Sequence, residues 1–278
     1  MTFYNRAASV DIELKTGEVL RVRDLRIEFQ IEQTNNSTPN KAEIKITNLS
    51  DVTRSKMREK DALVRLFAGY EGDLGSVLLF VGNSQRIINS WDTPDIVTQI
   101  EAQDGQRSLR ETRTSFSYGN NTPANVIVTR LANELGFPLR LNFDIKGSYQ
   151  GYSFNGRAKD ALDELTRRFG YKWSVVNGEI QIIPKDGNTG RAAVLLSPET
   201  GLVNTPERLI DQEGEFDEAL QNPLEWKITS LLNPRLTPGS LVDLVSKQAK
   251  GLFKIEKVRH YGDTRGNDWF SEIEVKSV

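Results

Sequence analysis

The sequence has no cysteine, one histidine and no long apolar run, and each absence excludes a class of protein. Without cysteine the chain forms no disulfide and no thiolate metal site. With His260 as the one imidazole, a zinc site would have to rely on several carboxylates. No apolar run approaches the roughly 20 residues that a membrane helix needs, and the N-terminus lacks the pattern of a secretory signal. These features predict a soluble protein made in a cytoplasm, with no metal and no cofactor.

The sequence also has no large excess of positive or negative charge. The chain carries 36 basic and 38 acidic residues, which argues against a general nucleic-acid binder. The distribution is less even, because residues 1–106 have a net charge of -3, residues 107–190 of +4 and residues 191–278 of -3. This layout indicates a separate middle unit with a different neighbour, although chance variation of a few charges explains it equally well.

Sequence motifs of catalysis are absent. The chain contains no phosphate-binding loop, no dinucleotide-binding glycine pattern and no G-x-S-x-G elbow. His260 lies near Asp263 and Asp268, but a histidine base needs a nucleophile within reach, and nothing nearby supplies one. We therefore predict no catalytic residues, a packing or hydrogen-bonding role for His260, and a packing role for Trp269.

The first hundred residues have the alternating pattern of β-strands. Apolar residues occupy every second position from Leu25 to Ile31 and again from Ala42 to Ile46, as expected for half-buried strands. Ser50 has the character of an N-cap before a short helix. Several short strands joined by turns predict a barrel or a sandwich for residues 1–106.

The middle of the chain changes to an α+β pattern. Two segments, "TPANVIVTRLANELG" and "RAKDALDELTRRFG", carry apolar residues at helical spacing and end on glycine. The segment "YKWSVVNGEIQIIP" predicts a β-hairpin that turns at Asn-Gly. Residues 107–190 are therefore predicted to be a small α+β unit between β-rich flanks.

Residues 191–225 are predicted to be loop-like, and their acidic run "DQEGEFDEAL" is predicted to be a solvated loop. Strands then resume and end in "GLFKIEKVRHYGDTRGNDWFSEIEV", two β-rich runs around a polar turn. We predict that Phe253, Ile255 and the aliphatic part of Lys257 share one face of the first strand, and that His260 lies where this strand ends.

Three arginines open the middle segment at a spacing of three residues. Arg107, Arg110 and Arg113 would line one side of a helix, where they could contact an acidic partner or a phosphate. An ordinary exposed face explains the same spacing. They are the candidate partner-contact residues.

Several segments together resemble the baseplate hub proteins of tailed, especially contractile-tailed, bacteriophages, the late-control protein D or tail hub family. The segments "PNKAEIKITNLS", "ALVRLFAGYEG", "LLFVGNSQRII" and "IVTQIEAQDG" resemble the first domain of this family. The two helical segments and the hairpin described above resemble its α+β domain. "SLLNPRLTPGSLVDL" and the C-terminal hairpin resemble its closing barrel domain, so that the likeness covers nearly the whole chain.

The resemblance implies a mainly β fold, with tail-tube-like β-barrel domains at 1–106 and 191–278 flanking a smaller α+β domain at 107–190. It implies a non-enzymatic structural hub in the virion tail baseplate: a homotrimer, assembled in the host cytoplasm, whose six barrels form a pseudo-sixfold ring. Such a ring joins a hexameric tail tube to a trimeric central spike, contacts other baseplate proteins and lets genomic DNA pass. The alternatives are a hexameric tube-end or distal-tail adaptor, a cell-wall-degrading tail enzyme that uses a carboxylate such as Asp263, and a carbohydrate- or nucleic-acid-binding module.

Overall fold

The computed structural model describes residues 5–57, 61–72, 75–209 and 226–278, and these are mainly β-strands. The predicted acidic loop at 211–220 lies outside the described residues. The strands are β1 (Arg6–Glu13), β2 (Val19–Val22), β3 (Ile27–Thr34), β4 (Lys41–Thr47), β5 (Leu63–Tyr70), β6 (Gly75–Asp92), β7 (Asp95–Gln103), β8 (Arg113–Pro123), β9 (Leu139–Arg140), β10 (Ser148–Arg157), β11 (Tyr171–Val176), β12 (Glu179–Pro184), β13 (Val194–Leu196), β14 (Leu202–Arg208), β15 (Trp226–Leu231), β16 (Leu241–Val245), β17 (Lys250–Asp263) and β18 (Trp269–Ser277). The helices are α1 (Asp51–Lys56), α2 (Gln106–Glu111), α3 (Ala124–Leu135) and α4 (Ala158–Arg168), with a 3₁₀ turn at Pro198–Thr200.

Local signals in the sequence account for the helix ends and the middle hairpin. The Ser50 hydroxyl accepts a hydrogen bond from the backbone N–H of Thr53 and caps α1, as predicted. Gly136 follows α3 in the left-handed conformation, where glycine has no steric penalty. Asn177 and Gly178 both have positive φ and join β11 to β12, which confirms the predicted Asn-Gly turn.

One large sheet holds most of the strands in two sets. The first strand set, β1 to β7, has the order β1-β5-β6-β7-β4-β3, with β2 beside β1. The second strand set, β13 to β18, has the order β13-β16-β17-β18-β15-β14. The two orders are the same, strand for strand. They differ in one orientation, because β1 is antiparallel to β5 whereas β13 is parallel to β16.

The predicted loop between 191 and 225 is wrong in part, because β13 and β14 lie within it. β13 has only three residues, and β14 contains an asparagine, a threonine and a proline. Such short or turn-rich segments give no alternating pattern. Their pairing partners, β16 and β15, make them strands.

Within the described ranges, three hydrophobic clusters underlie the strands and helices. The first draws on residues between Val10 and Ala102, together with Leu232 and Trp269 from the second strand set. The second lies in the middle segment, where the buried faces of α3 and α4 pack with β11 and β12. The third lies between Leu196 and Val275.

The middle segment contacts the first strand set through a buried polar junction. Asn40 donates from its side chain to Asp104 Oδ2 at 2.7 Å and to the backbone carbonyl of Val175 at 2.7 Å. Burial raises the pKa of Asp104 to about 7, although hydrogen bonds from Asn40 oppose the shift. Gln33 also donates to the Asn177 side chain at 2.9 Å. Among the described residues, no helix is long and apolar enough to cross a membrane.

Candidate assembly interface

The two strand sets join edge to edge at β3 and β17. These strands are antiparallel, and their register runs from Thr34 opposite Lys257 to Glu28 opposite Asp263. The joint turns the two sets into one continuous sheet. It also carries Trp269 into the core of the first strand set.

The turn after β17 is held by arginines of the first strand set. The Arg26 guanidinium donates to both carboxylate oxygens of Asp263, at 3.2 and 2.7 Å. Arg6 donates to the backbone carbonyls of Gly266 at 2.7 Å and Asn267 at 3.1 Å. We call these contacts the turn clasp. Patterns along the sequence could not reveal it, since Arg26 and Asp263 are 237 residues apart.

Asp263 is engaged in the clasp and is not a free carboxylate. Burial would raise its pKa, but the hydrogen bond from Arg26 and the backbone N–H of Arg265 outweigh burial and hold the pKa below its usual value. The N–H of Arg265 lies 2.9 Å from Oδ1. An ionised carboxylate held in this way stabilises a turn, and it is poorly suited to exchange protons with a substrate.

His260 is buried inside the sheet. It lies between Ile31 of β3 and Ser271 of β18, and its Nδ1 is 2.8 Å from the Ser271 hydroxyl. Burial lowers its pKa to about 4, and the backbone of Leu236 opposes the shift only in part. The predicted packing and hydrogen-bonding role is confirmed.

The first strand of the C-terminal hairpin departs from the predicted alternation. It continues three residues beyond His260, so His260 does not mark its end. Glu256 forms a β-bulge against β18, and the register shifts between Ile255 and Lys257. Because a bulge inserts one residue, the buried face moves to Val258 and Lys257 is exposed. The predicted placement of Lys257 beside Phe253 is therefore wrong.

Trp269 is a packing residue, as predicted. Its side chain is almost fully buried and meets Phe29 and Tyr70 edge to face, with ring centroids 5.4 and 6.5 Å away. The Arg6 guanidinium lies 5.7 Å from the centroid of the ring. Edge-to-face aromatic pairs add to the stabilisation from burial, so Trp269 fixes the second strand set to the first.

The three candidate arginines do not share one helix face. Arg107 and Arg110 lie in α2, whereas Arg113 begins β8. All three are exposed, and both helical arginines pair with Glu111, at 3.2 and 2.9 Å. The predicted helical alignment is wrong because α2 ends at Glu111. The residues remain an exposed basic group at the start of the middle segment.

The described residues form no cluster of metal ligands. Within 5–57, 61–72, 75–209 and 226–278, no three or more histidine and carboxylate side chains converge as metal ligands would. An open depression of about 690 Å³ lies beside the turn clasp, and half of the residues that line it are charged. Two of these, Arg21 and Asp11, already form a bidentate pair with both distances at 2.9 Å.

Comparison with known families gives one match over most of the chain. The family model described as "Baseplate hub gp41" matches residues 8–247. No curated protein matches the sequence.

Solved structures share the fold at low sequence identity. The 43 kDa tail protein of prophage MuSo2 from Shewanella oneidensis has a TM-score of 0.67 and 11% identity, with 98% of each chain covered. A tail protein from Neisseria meningitidis MC58 has a TM-score of 0.65 and 10% identity, covering 99% of this chain and 97% of that one. The E. coli c3393 protein, described as a type VI secretion component similar to T4 phage tail proteins gp27 and gp5, has a TM-score of 0.57 and 12% identity, with 91% and 73% covered.

Proposed function

The chain belongs to the baseplate hub gp41 family, and from that premise we propose that three copies form the hub ring of a phage tail. Each copy contributes two tube-like barrel domains, at 1–106 and 191–278, and the α+β domain at 107–190 lies between them in sequence. Six barrels around a threefold axis give a pseudo-sixfold ring. The ring joins a sixfold tail tube on one side to a threefold central spike on the other.

The observation that carries this proposal is the repeated strand order of the large sheet. Both strand sets have the same order over six strands, although their sequences give no obvious repeat. Two units of one design in a chain allow a trimer to present six similar units. A single unit per chain would require six copies for the same match.

A spike partner is supported by the related folds. The E. coli protein with this fold is described as similar to both gp27 and gp5 of phage T4, and another chain with this fold, at a TM-score of 0.58, comes from a Francisella PdpA-VgrG complex. We extend this kind of partnership to the present chain, with a trimeric spike below the ring and a tail tube above it.

The charge distribution supports an assignment of the inside and the outside of the proposed ring. A channel for DNA must avoid localised cationic grip, because each phosphate that is held by lysine or arginine adds affinity. The flanking segments each have a net charge of -3 and suit a lumen, whereas the middle segment has +4. We place the middle domain outside the channel, with Arg107, Arg110 and Arg113 at contacts with neighbouring subunits or baseplate proteins.

We infer a structural role and no enzymatic one. A hydrolase would need His260 or Asp263 as a free acid or base. In the joint, His260 is hydrogen-bonded to Ser271, and Asp263 is hydrogen-bonded to Arg26. Turnover of purified cell wall by the isolated chain, lost on substitution of Asp263, would overturn this inference.

Mass measurement of the hub ring distinguishes the trimer from a hexameric adaptor. Rings released from purified tails would be weighed by native mass spectrometry, and one chain has a mass of 31.3 kDa. Three copies per ring support the proposed hub. Six copies would contradict it and favour a tube-end or distal-tail adaptor.

A further inference from the structure

The two strand sets correspond residue by residue around their longest strands. In β6 the register with β7 shifts at Gln85, between Ser84 and Arg86. In β17 the register with β18 shifts at Glu256, between Ile255 and Lys257. Asn83 is the last residue of β6 that pairs with β5, and Lys254 is the last residue of β17 that pairs with β16. In both strands the bulge follows that residue by two positions. Counting from the bulges makes residues 86–92 of β6 equivalent to residues 257–263 of β17.

These equivalent halves differ in one respect, the strand on their second edge. Residues 257–262 pair with β18 on one side, and residues 257–263 pair with β3 on the other. Residues 86–92 pair with β7, and within the described part of the chain no strand pairs with their other edge. An unpaired edge presents backbone N–H and C=O groups to any strand of matching length.

The two equivalent halves also differ in how deeply their side chains are buried. In β17, Val258, His260 and Gly262 are buried. Their equivalents in β6 are Ile87, Asn89 and Trp91, and none of the three is buried; Trp91 is 74% exposed. A tryptophan on an unpaired strand edge is typical of protein–protein contacts. The distal half of β6 therefore has the exposure expected of a strand whose neighbour is absent.

The equivalence also identifies the strand that would fill this edge. β3 pairs with the second edge of β17. The counterpart of β3 in the second strand set is β14, because β3 lies next to β4 in the first set and β14 lies next to β15, the counterpart of β4, in the second. β14 is at the end of the sheet, paired with β15 on one edge, and within the described residues no strand covers its other edge. Six strands lie between β14 and β6 in the sheet of one chain.

We propose that β14 of one copy pairs, antiparallel, with residues 86–92 of β6 in the next copy, as β3 pairs with β17 within a copy. This inference rests on the proposed ring and names the surfaces that close it. The contact joins two different edges head to tail, which generates a closed ring when the rotation between copies is suitable. The joint inside each chain and the joint between chains then alternate around the ring, three of each.

The register of this contact follows from the internal joint. Glu43 and Lys227 are equivalent, because they lie opposite the equivalent residues Glu101 and Glu274. Their own partners, Gln30 on β3 and Glu207 on β14, are therefore equivalent too. Gln30 lies opposite Tyr261, whose equivalent in β6 is Ser90. Ser90 is thus placed opposite Glu207 of the next copy, and Asn89 opposite Arg208.

One feature of β14 limits the extent of the contact. Its register with β15 shifts between Val203 and Glu207, and Pro206 within this stretch has no backbone N–H. Proline is tolerated on sheet edges and at bulges. The pairing therefore centres on Glu207 and Arg208, which are both exposed in the single chain.

Disulfide trapping tests the register directly, because the sequence has no cysteine of its own. Phage carrying Ser90→Cys and Glu207→Cys in every copy would be purified, oxidised and run on a denaturing gel without reductant. Directly opposite strand residues are about 5 Å apart, within the range of a disulfide. We expect covalent dimers and trimers of the chain that disappear on reduction.

A matched control moves one cysteine along the same strand. With Arg86→Cys and Glu207→Cys, four residues of offset separate the cysteines by about 13 Å, beyond disulfide reach. At least a tenfold lower yield of trimer is expected. Equal yields from the two pairs, or none from Ser90→Cys with Glu207→Cys, would overturn the pairing.

Ring mass separates this inference from the proposed function. Three copies per ring without the specific crosslink would leave the hub proposal standing and exclude the β6–β14 contact. Six copies would contradict the hub proposal. In that case the specific crosslink would still support the β6–β14 contact, and its absence would still exclude that contact. If the variant phage make no tails, an image of parental tails shows whether β14 of a neighbour lies beside residues 86–92, and any other neighbour there overturns the inference.

Discussion

At the residue scale, a few buried polar side chains determine how the two halves of the chain meet. His260 is enclosed in the joint and stays neutral because burial lowers its pKa to about 4. Asp263 is ionised because Arg26 offsets the cost of its burial. We therefore expect His260 and Asp263 to make the stability of the joint depend on pH and on charge.

His260 should make the fold sensitive to acid. In the unfolded chain its pKa is 6.5, and in the folded chain it is about 4. The unfolded state therefore binds the proton first, and stability that is present above pH 6.5 is lost as the pH falls toward 4. A difference of this size corresponds to roughly 3 kcal/mol. Urea unfolding of the parent and of His260→Gln at pH 7 and pH 4.5 measures it.

The difference between the parent and His260→Gln isolates the contribution of the histidine to the pH dependence of stability. Asp104 titrates in the opposite sense, since its raised pKa favours the folded state at low pH and this contribution is lost as the pH rises toward 7. Both proteins retain Asp104 and all other carboxylates. His260→Gln should lose less stability on acidification than the parent, and parallel pH profiles would contradict the prediction.

The turn clasp should contribute measurable stability. Asp263→Asn removes the partly buried charge that Arg26 holds through three hydrogen bonds, and we expect a loss of about 1–2 kcal/mol in the free energy of unfolding. Asp160→Asn is the matched control, because its bidentate pair with Arg157 is exposed and local. Its loss should be much smaller, because exposed ion pairs contribute little to stability. Equal losses in chemical denaturation would argue against a special role for the clasp.

At the element scale, the strands show what alternation in a sequence can and cannot predict. The C-terminal hairpin, the α1 cap and the Asn-Gly turn follow from local chemistry and were predictable. The bulge at Glu256 was not, because it shifts the alternation without any residue that marks it. β8 and β10 carry many polar and glycine residues and are recognisable only by pairing with each other. The joint between β3 and β17 links residues that are far apart in the chain, and no local pattern records it.

The turn between β11 and β12 is the element most easily tested. Gly178 has φ of +79°, and a Cβ placed there would lie 2.7 Å from Val81 Cγ1 on β6. Gly178→Ala should therefore cost about 1–2 kcal/mol from backbone strain and the clash together. Thermal unfolding compared with Gly119→Ala tests this, since Gly119 has open space around its Cα.

A second substitution separates the two causes. Adding Val81→Ala to Gly178→Ala removes the clash but leaves the backbone strain, so part of the loss should be recovered relative to Val81→Ala alone. If Gly178→Ala lowers the melting temperature no more than Gly119→Ala does, the inferred close contact between this turn and β6 is wrong.

At the scale of the whole molecule, the repeated strand order relates one chain to an assembly. The family is that of baseplate hubs, and the two strand sets provide two similar units in each chain. We propose that the acidic flanks face the lumen of this ring and that the basic middle segment lies outside it. Because this assignment concerns exposed charge, we expect that changes of charge leave the fold intact.

Charge reversal tests the outer surface. Replacing Arg107, Arg110 and Arg113 by glutamate should lower the yield of complete tails several-fold, while the melting temperature of the isolated chain stays nearly unchanged because exposed charges contribute little to stability. The control replaces Lys146, Arg167 and Lys185, which are also exposed in the middle segment, and makes the same change in charge. Normal tail yield from the first variant, or an equal defect in both, would contradict the assigned contact.

An image of the tail tip tests the central claim most directly. Electron cryomicroscopy of purified particles would show how many copies of this chain surround the channel and how each is placed. We predict three copies whose two strand sets alternate as six similar units around the lumen, with the middle segment outside and a spike below. A ring of six copies, or one in which only one strand set of each copy faces the channel, would contradict the account.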